Sequence, residues 1–259
     1  MSLVTTTSDG PVLTIELNRP DARNALSLEL CDAIVEALDE AGPHEAARVI
    51  VLGGGGPVFC SGADFAAVSG PEGVDFLPAF ERMLEAVASH RLPTIARIQG
   101  AALGGGLQLA TVCDFRIATS DARLGIPSSR LGVVVNLEIV ERLVELVGIA
   151  RAKEVLMTGS TFSGDDALRA GLVSELCAPR ELERATERMA LAIASLAPLS
   201  VQGAKRAIRA ITEQRSLRRR DPEAALEIDA LVAEAYASGD LGEGIRAMTE
   251  KRPPNFKGS

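Results

Sequence analysis

"RIQGAALGGGLQLATVCDFRIAT" spans residues 97–119 and decides the fold. An apolar strand closes at Gly100, three glycines follow at 104–106, an apolar helix-like run comes next, and a further strand ends at Thr119. Strand, glycine turn, helix and strand in such quick succession is the pattern of an alternating α/β chain with largely parallel pairing. The glycines let a backbone N–H come close to a ligand atom with no side chain in the way. A helix N-terminus leaves such N–H groups unpaired and favours negative charge beside them. Gln108 follows within one turn, so a neutral amide looks into the same spot.

The alternation extends outward in both directions. "PVLTIELN" (11–18) is β-branched and alternates, so it reads as a strand. "NALSLELCDAIVEALDEA" (24–41) offers Ser27 as an N-cap, then Leu30, Ile34 and Leu38 at helical spacing. "ARVIVLG" (47–53) is a short buried strand, broken by "GGGGPVF" (53–59), and "LPTIARIQG" (92–100) and "VCDFRIAT" (112–119) supply two more. After "GLVSELCAPR" (171–180) the character changes to helices over 181–197, 199–214, 221–237 and 240–250. The expected division is a core over residues 1–195 and a helical region over 196–259. The stripe of Leu226, Ile228, Leu231 and Val232 must be covered, by the chain's own core or by a partner subunit. The basic cluster "RSLRRRD" (215–221) reads as a solvated helix end or as a contact for a phosphorylated ligand.

Composition narrows the function classes. The 259 residues are 47% hydrophobic, enough for a real core, and the net charge of −8 argues against a nucleic-acid partner. Cys31, Cys60, Cys113 and Cys177 are scattered, with no CxxC and no histidine at ligand spacing. They read as reduced, mostly buried thiols of a cytoplasmic protein, and no metal site is expected. The N-terminal "MSLVTTTSDG" lacks the features of a signal peptide, and no apolar run is long enough for a membrane span.

A second glycine turn, "FCSGADF" (59–65), follows the 47–53 strand. Two such turns aiming N–H groups at one oxygen would form an oxyanion hole, where one donor is typically worth ~2.7–4 kcal/mol of transition-state stabilisation. Glycine turns by themselves are more often only turns. Neither turn here is a dinucleotide or P-loop motif, since no GxGxxG and no GKS or GKT is present.

The ordered set of motifs is more specific. "ELNRPDARNALS", "GGGPVFCSGADF", "RIQGAALGGGLQLATVCDFRIAT", "LGIPSSRLGV" and "TGSTFSGDDALRAGLVSEL" occur in this order, and the chain ends "MTEKRPPNFKGS". Across nearly its whole length the chain resembles the crotonase, or enoyl-CoA hydratase/isomerase, superfamily. The resemblance implies an α/β fold: a spiral of ββα turns followed by C-terminal helices that mediate trimers or dimers of trimers. It implies a role in acyl-CoA and fatty-acid metabolism with no cofactor, the coenzyme A thioester itself being ligand or substrate. By motif position the thioester oxygen would be held by the N–H groups of Ala63 and Gly105. Asp64 and Phe65, together with Arg23, Asn24, Ala25 and Leu26, would lie along the CoA path. Phe256 and Lys257 resemble the C-terminal pair that reaches CoA, often from a neighbouring subunit.

The same resemblance exposes departures. Typical hydratases place one glutamate three residues after the middle glycine, which here is Gln108, and another after a proline, which here is Ser128. The third acid position, used by some isomerases, is Asn136. None of the three titrates near pH 7, and Gln and Asn cannot abstract a proton. Each general acid or base typically contributes ~10²–10⁴-fold, so an ordinary hydratase rate is not expected. Glu138, in "VVNLE", is a candidate substitute carboxylate; its plainer reading is a first-turn carboxylate at a helix N-terminus. Ser128 as a nucleophile would need a base, and His44 and His90 lie in no motif. "GLQLA", "PSSR" and the terminal "KRPPxF" resemble actinobacterial paralogues that also lack the glutamate pair. Two functions follow: an acyl-CoA binder with weak or no hydratase activity, serving a protein partner, or an active hydratase, isomerase or decarboxylase using a carboxylate such as Glu138. Residues 66–84 would shape the acyl end of the pocket, with "SGPEG" as a loop.

Overall fold

The computed structural model describes residues 2–41, 46–65 and 73–258. The "SGPEG" insert lies outside them, apart from Gly73, as does His44. Strand β1 (Val4–Asp9) turns back through Gly10, at φ 54°, into β2 (Val12–Leu17) as an antiparallel hairpin. From β2 onward every pairing in the large sheet is parallel. β2 pairs with β3 (Val49–Gly54), β3 with β4 (Thr94–Ile98), β4 with β6 (Phe115–Thr119), and β6 with β9 (Glu175–Cys177). The expected strands at 11–18, 47–53, 92–100 and 112–119 are β2, β3, β4 and β6.

Each parallel step is closed by a helix. Helix α1 (Leu28–Ala41) starts where the Ser27 hydroxyl accepts from the Leu30 N–H at 3.3 Å, and buries Leu30, Ile34 and Leu38. Helix α2 (Gly73–Ser89) packs on α1 and precedes β4. Short β5 (Ala101–Leu103) and helix α3 (Gly105–Val112) join β4 to β6. β5 belongs to a second, three-stranded sheet with β7 (Arg123–Gly125) and β8 (Thr161–Ser163). β8, α5 (Gly164–Arg169) and β9 form a further strand–helix unit, so ββα units wind along the chain. Helix α6 (Leu182–Ala194) covers the sheet. Its Leu182, Ala185 and Ala190 form one core with Val49, Val51, Ile95 and Ile117.

The chain divides into two units, residues 1–124 with 162–207, and residues 125–161 with 208–259. The expected boundary at 195/196 therefore falls inside the first unit. Two contacts account for this. α6 is part of the sheet's core, and helix α7 (Pro198–Arg215) begins there too, its Lys205 ammonium 2.7 Å from the Asp114 carboxylate and 2.9 Å from the Leu92 carbonyl oxygen.

The second unit is helical. A 3₁₀ turn (Ser128–Arg130) leads to α4 (Leu137–Thr158), which is broken at Gly148 with φ 75° and ψ 162°. Helices α8 (Leu217–Arg220), α9 (Pro222–Ala237) and α10 (Gly239–Thr249) complete it. Asp221 caps α9 through the Ala224 N–H at 3.1 Å, with Pro222 at the first helical position. Gly132 and Gly244 let the 131–132 turn lie on α10. A Cβ at Gly244 would sit 2.6 Å from the Leu131 carbonyl oxygen. Of the apolar stripe, Val232 is buried, while Leu226 and Leu231 are exposed.

Candidate oxyanion site

Two hydrogen-bonded seams place the glycine turns side by side. Segment 60–62 runs parallel to β5, with the Cys60 N–H donating to Ala101 O at 3.1 Å and the Leu103 N–H to Cys60 O at 3.0 Å. One residue on, Leu26 bridges Ala63. The Leu26 N–H donates to Gly62 O, and the Asp64 N–H donates to Leu26 O, both at 2.8 Å. In an extended segment successive N–H groups point to opposite sides. Since Asp64 N–H and Gly62 O face Leu26, the Ala63 N–H faces away from it.

On the other turn, Gly104 takes φ 51° and ψ −122° and opens α3 at Gly105. The Gly105 N–H is one of the orphan donors at the helix start. Among the described residues neither it nor the Ala63 N–H donates to a backbone acceptor. The turns approach because they lack side chains. A Cβ at Gly62 would lie 3.5 Å from Gly105 N and 2.9 Å from Leu103 O; one at Gly106 would lie 2.4 Å from Cys60 O. Leu26 Cδ1 and the Phe80 ring stand about 3.2 Å from where a Gly105 Cβ would be, so the walls here are apolar. Burial pushes the Cys60 thiol up to about 12, leaving it neutral. The first turn of α3 carries no carboxylate, so nothing on the helix opposes its positive end.

Gln108 stands one turn beyond Gly105 on the same face, and helical side chains lean toward the N-terminus. It is only 9% exposed, and its amide makes no hydrogen bond to another described residue. In the second unit, the Ser128 carbonyl accepts from the Leu131 and Val133 N–H groups at 2.9 and 3.1 Å. The Asn136 side chain caps α4 by accepting from the Ile139 N–H at 3.3 Å. Glu138 is exposed and accepts from Arg218 Nε at 2.7 Å; Arg218 also forms a two-pronged pair with Asp229 at 2.8 and 3.0 Å. The basic cluster is thus partly neutralised on its own helices. His90 Nδ1 accepts from the Leu92 N–H at 3.1 Å, and burial holds its pKa below the usual value.

Along the expected CoA path, Arg23 is exposed at φ 52° and Ala25 is half-buried. Leu26 is fully buried, its side chain turned to Gly105. Asn24, expected to face CoA, turns inward instead. Its amide donates to the carbonyls of Gly55, Val58 and Phe59 at 2.9, 2.9 and 3.1 Å. Phe65 is half-buried, and Asp64 pairs with Arg19 at 2.9 Å. Phe256 is 37% exposed; the N–H groups of Lys257 and Gly258 donate to the Asp240 carboxylate at 2.7 and 2.8 Å.

Sequence reasoning missed two arginines. Arg19 ties Ala25 O to the Asp64 carboxylate and so fixes both flanks of the Ala63 turn. Arg116 is buried in β6; its charge within "FRIAT" marks the position in the sequence but says nothing of its partners.

The family's sequence profile, described as enoyl-CoA hydratase/isomerase, matches residues 7–259. The chain belongs to the enoyl-CoA hydratase/isomerase family. It is 36% identical over 252 residues to a probable enoyl-CoA hydratase, echA6, of Mycobacterium leprae, covering 96% of each chain. It is 34% identical over 248 residues to a crotonyl-CoA hydratase of Syntrophomonas wolfei, covering 93% and 92%. Among solved structures, a methylmalonyl-CoA decarboxylase in complex with 2-nitronate-propionyl-CoA superposes with a TM-score of 0.90 at 28% identity, covering 100% and 99%. The α/β crotonase fold with ββα units and C-terminal helices is therefore established for this member of the family. No helix among the described residues is long and apolar enough to cross a membrane.

Proposed function

We propose that this enoyl-CoA hydratase/isomerase family member binds acyl-CoA thioesters, and that it hydrates enoyl-CoA weakly or not at all. The observation that carries the binding half is the pair of N–H groups of Ala63 and Gly105, unpartnered among the described residues, on turns that glycine at 62 and 106 allows to meet. Two amide donors in apolar surroundings polarise a thioester oxygen and stabilise an enolate formed from it. Arg23, Ala25, Leu26, Asp64, Phe65, Phe256 and Lys257 are the proposed CoA contacts. The second half rests on Gln108, Ser128 and Asn136, which stand at the family's acid/base positions and are neutral. Glu138 is a poor substitute: it is exposed and spends its charge on Arg218.

Decarboxylation of a 2-carboxyacyl-CoA is the second reading, favoured by the likeness to a methylmalonyl-CoA decarboxylase. Loss of carbon dioxide generates the enolate without a base to remove a proton, so the hole alone supplies most of what the step needs. The exposed Leu226 and Leu231 support a homotrimer or dimer of trimers, which light scattering would test; a pure binder would also need a protein partner to receive its ligand.

The deciding experiment pairs binding titrations of a short and a long trans-2-enoyl-CoA with steady-state hydration of both, and adds a methylmalonyl-CoA decarboxylation assay. Binding without hydration supports the proposal, and release of carbon dioxide selects the second reading. Hydration that collapses in Glu138→Gln would show that this carboxylate has taken over. Absence of binding at millimolar ligand would sink all three.

A further inference from the structure

We infer that Arg116 is a positioning residue of the oxyanion site: it fastens the C-terminal end of α3 and sets a buried positive charge behind the two amide donors. The inference rests on the reading of Ala63 and Gly105 as a thioester site.

Arg116 lies within β6 and is 5% exposed. Its Nη1 donates to Cys113 O at 2.7 Å and to Ala110 O at 3.4 Å, and its Nε donates to Leu172 O at 2.6 Å. Ala110 is in the last turn of α3 and Cys113 is its C-cap, so two of these are the helix-end carbonyls that lack an intrahelical partner. The arginine's own backbone is fixed too, with the Ser174 N–H donating to Arg116 O at 2.7 Å.

The helix between this guanidinium and the Gly105 N–H has only 8 residues. At the usual rise it is about 12 Å long. In so short a helix the negative pole at the C-terminus lies close enough to weaken the positive end that serves the ligand. A cation on the terminal carbonyls cancels that pole. Buried charges are little screened by salt. A unit charge about 12 Å away, at an effective dielectric near ~20, changes the stability of an enolate in the hole by roughly tenfold. Capping alone would need only a neutral donor, so charge and capping are separable.

The test uses acetoacetyl-CoA, whose enolate absorbs in the near ultraviolet where the ketone does not. The pH midpoint for enolate formation on the bound ligand is measured in the wild type, in Arg116→Lys and in Arg116→Gln. Arg116→Gln keeps an amide donor and loses the charge. The wild type and Arg116→Lys are expected to share a midpoint, with Arg116→Gln about one pH unit higher. Thermal unfolding records the lost capping separately, and Arg116→Met supplies the neutral arm if Arg116→Gln does not fold. A common midpoint for all variants, or a Lys variant displaced as far as the neutral one, overturns the inference. If acetoacetyl-CoA fails to bind the wild type, or ionises as it does free in water, the oxyanion site itself falls and the inference with it.

Discussion

Gly62 and Gly105 meet across the two glycine turns. The backbone of Gly62 has φ 110°, and a Cβ placed on it would stand 3.5 Å from the Gly105 nitrogen. The residue after Gly62 supplies one proposed donor and Gly105 the other, so their separation is set by the absence of one methyl group.

Gly62→Ala is expected to strain the backbone and press on the Leu103 carbonyl oxygen, 2.9 Å away, at a cost of about 1–3 kcal/mol. Butyryl-CoA affinity should fall at least ~10-fold, because the Ala63 N–H moves off target. Gly203→Ala is the matched control. It lies in α7 with nothing within 4 Å of its Cβ position and should raise stability by about 1 kcal/mol. Calorimetric unfolding and titration of both variants check this; wild-type affinity in Gly62→Ala would show that the approach of the turns does not position ligand.

Asn24→Ala should be among the more damaging substitutions. The residue is fully buried at φ 53°, donates to three carbonyls and accepts from the Arg19 N–H at 3.0 Å. Leaving those groups unpaired is expected to cost about 2–4 kcal/mol in urea unfolding. Asn24→Asp should be less stable at neutral pH than at low pH, since an ionised carboxylate would face carbonyl oxygens.

The thiols should divide by reactivity. Burial pushes Cys31, Cys60 and Cys113 up to about 12. At pH 8 only about one in ten thousand of each would be thiolate. Cys177 is half-buried, and burial raises its pKa as well. Ellman's reagent on the native protein should therefore modify Cys177 first, the other three following only in denaturant. Rapid native modification of Cys60 would mean that the Ala63 turn opens.

Acid should release the C-terminal tail. Arg252 beside Glu243, helped by the Asn255 N–H, holds that carboxyl down to about 2. A depressed folded pKa means the tail contact is fully present above the ordinary glutamate value of about 4.3 and is lost as pH falls toward about 2. Hydrogen exchange of the Asn255 amide, corrected for its intrinsic pH dependence, should quicken across that window. In Glu243→Gln the dependence should vanish.

Much of the proposed site rests on features that are local in the sequence. The glycines at 62 and 104–106 and the neutral Gln108 are local features, set by backbone sterics and residue chemistry. The roles of Asn24, Arg19 and Arg116 were not legible. Asn24 bonds carbonyls more than 30 residues away and Arg116 one that is 56 residues away, and pairings at such range leave no mark on the local pattern. The plainer reading of Glu138, a first-turn carboxylate, agrees with its exposed place on α4, whereas its partner Arg218 lies 80 residues on and had no signature.

The sequence by itself determined the alternation of strands and helices, the family, and which positions could not titrate. Hydrophobic periodicity, caps and glycine turns act over a few residues, so a linear chain displays them. The family resemblance implied the winding of ββα units, which no internal sequence repeat announces; the tertiary structure alone decided the grouping of residues 162–207 with the sheet. It also decided that Asn24 turns inward and that Arg116 sits on the carbonyl end of α3. Those outcomes depend on which buried polar groups find each other once the sheet has closed, and burial makes each unsatisfied partner costly enough to fix the choice.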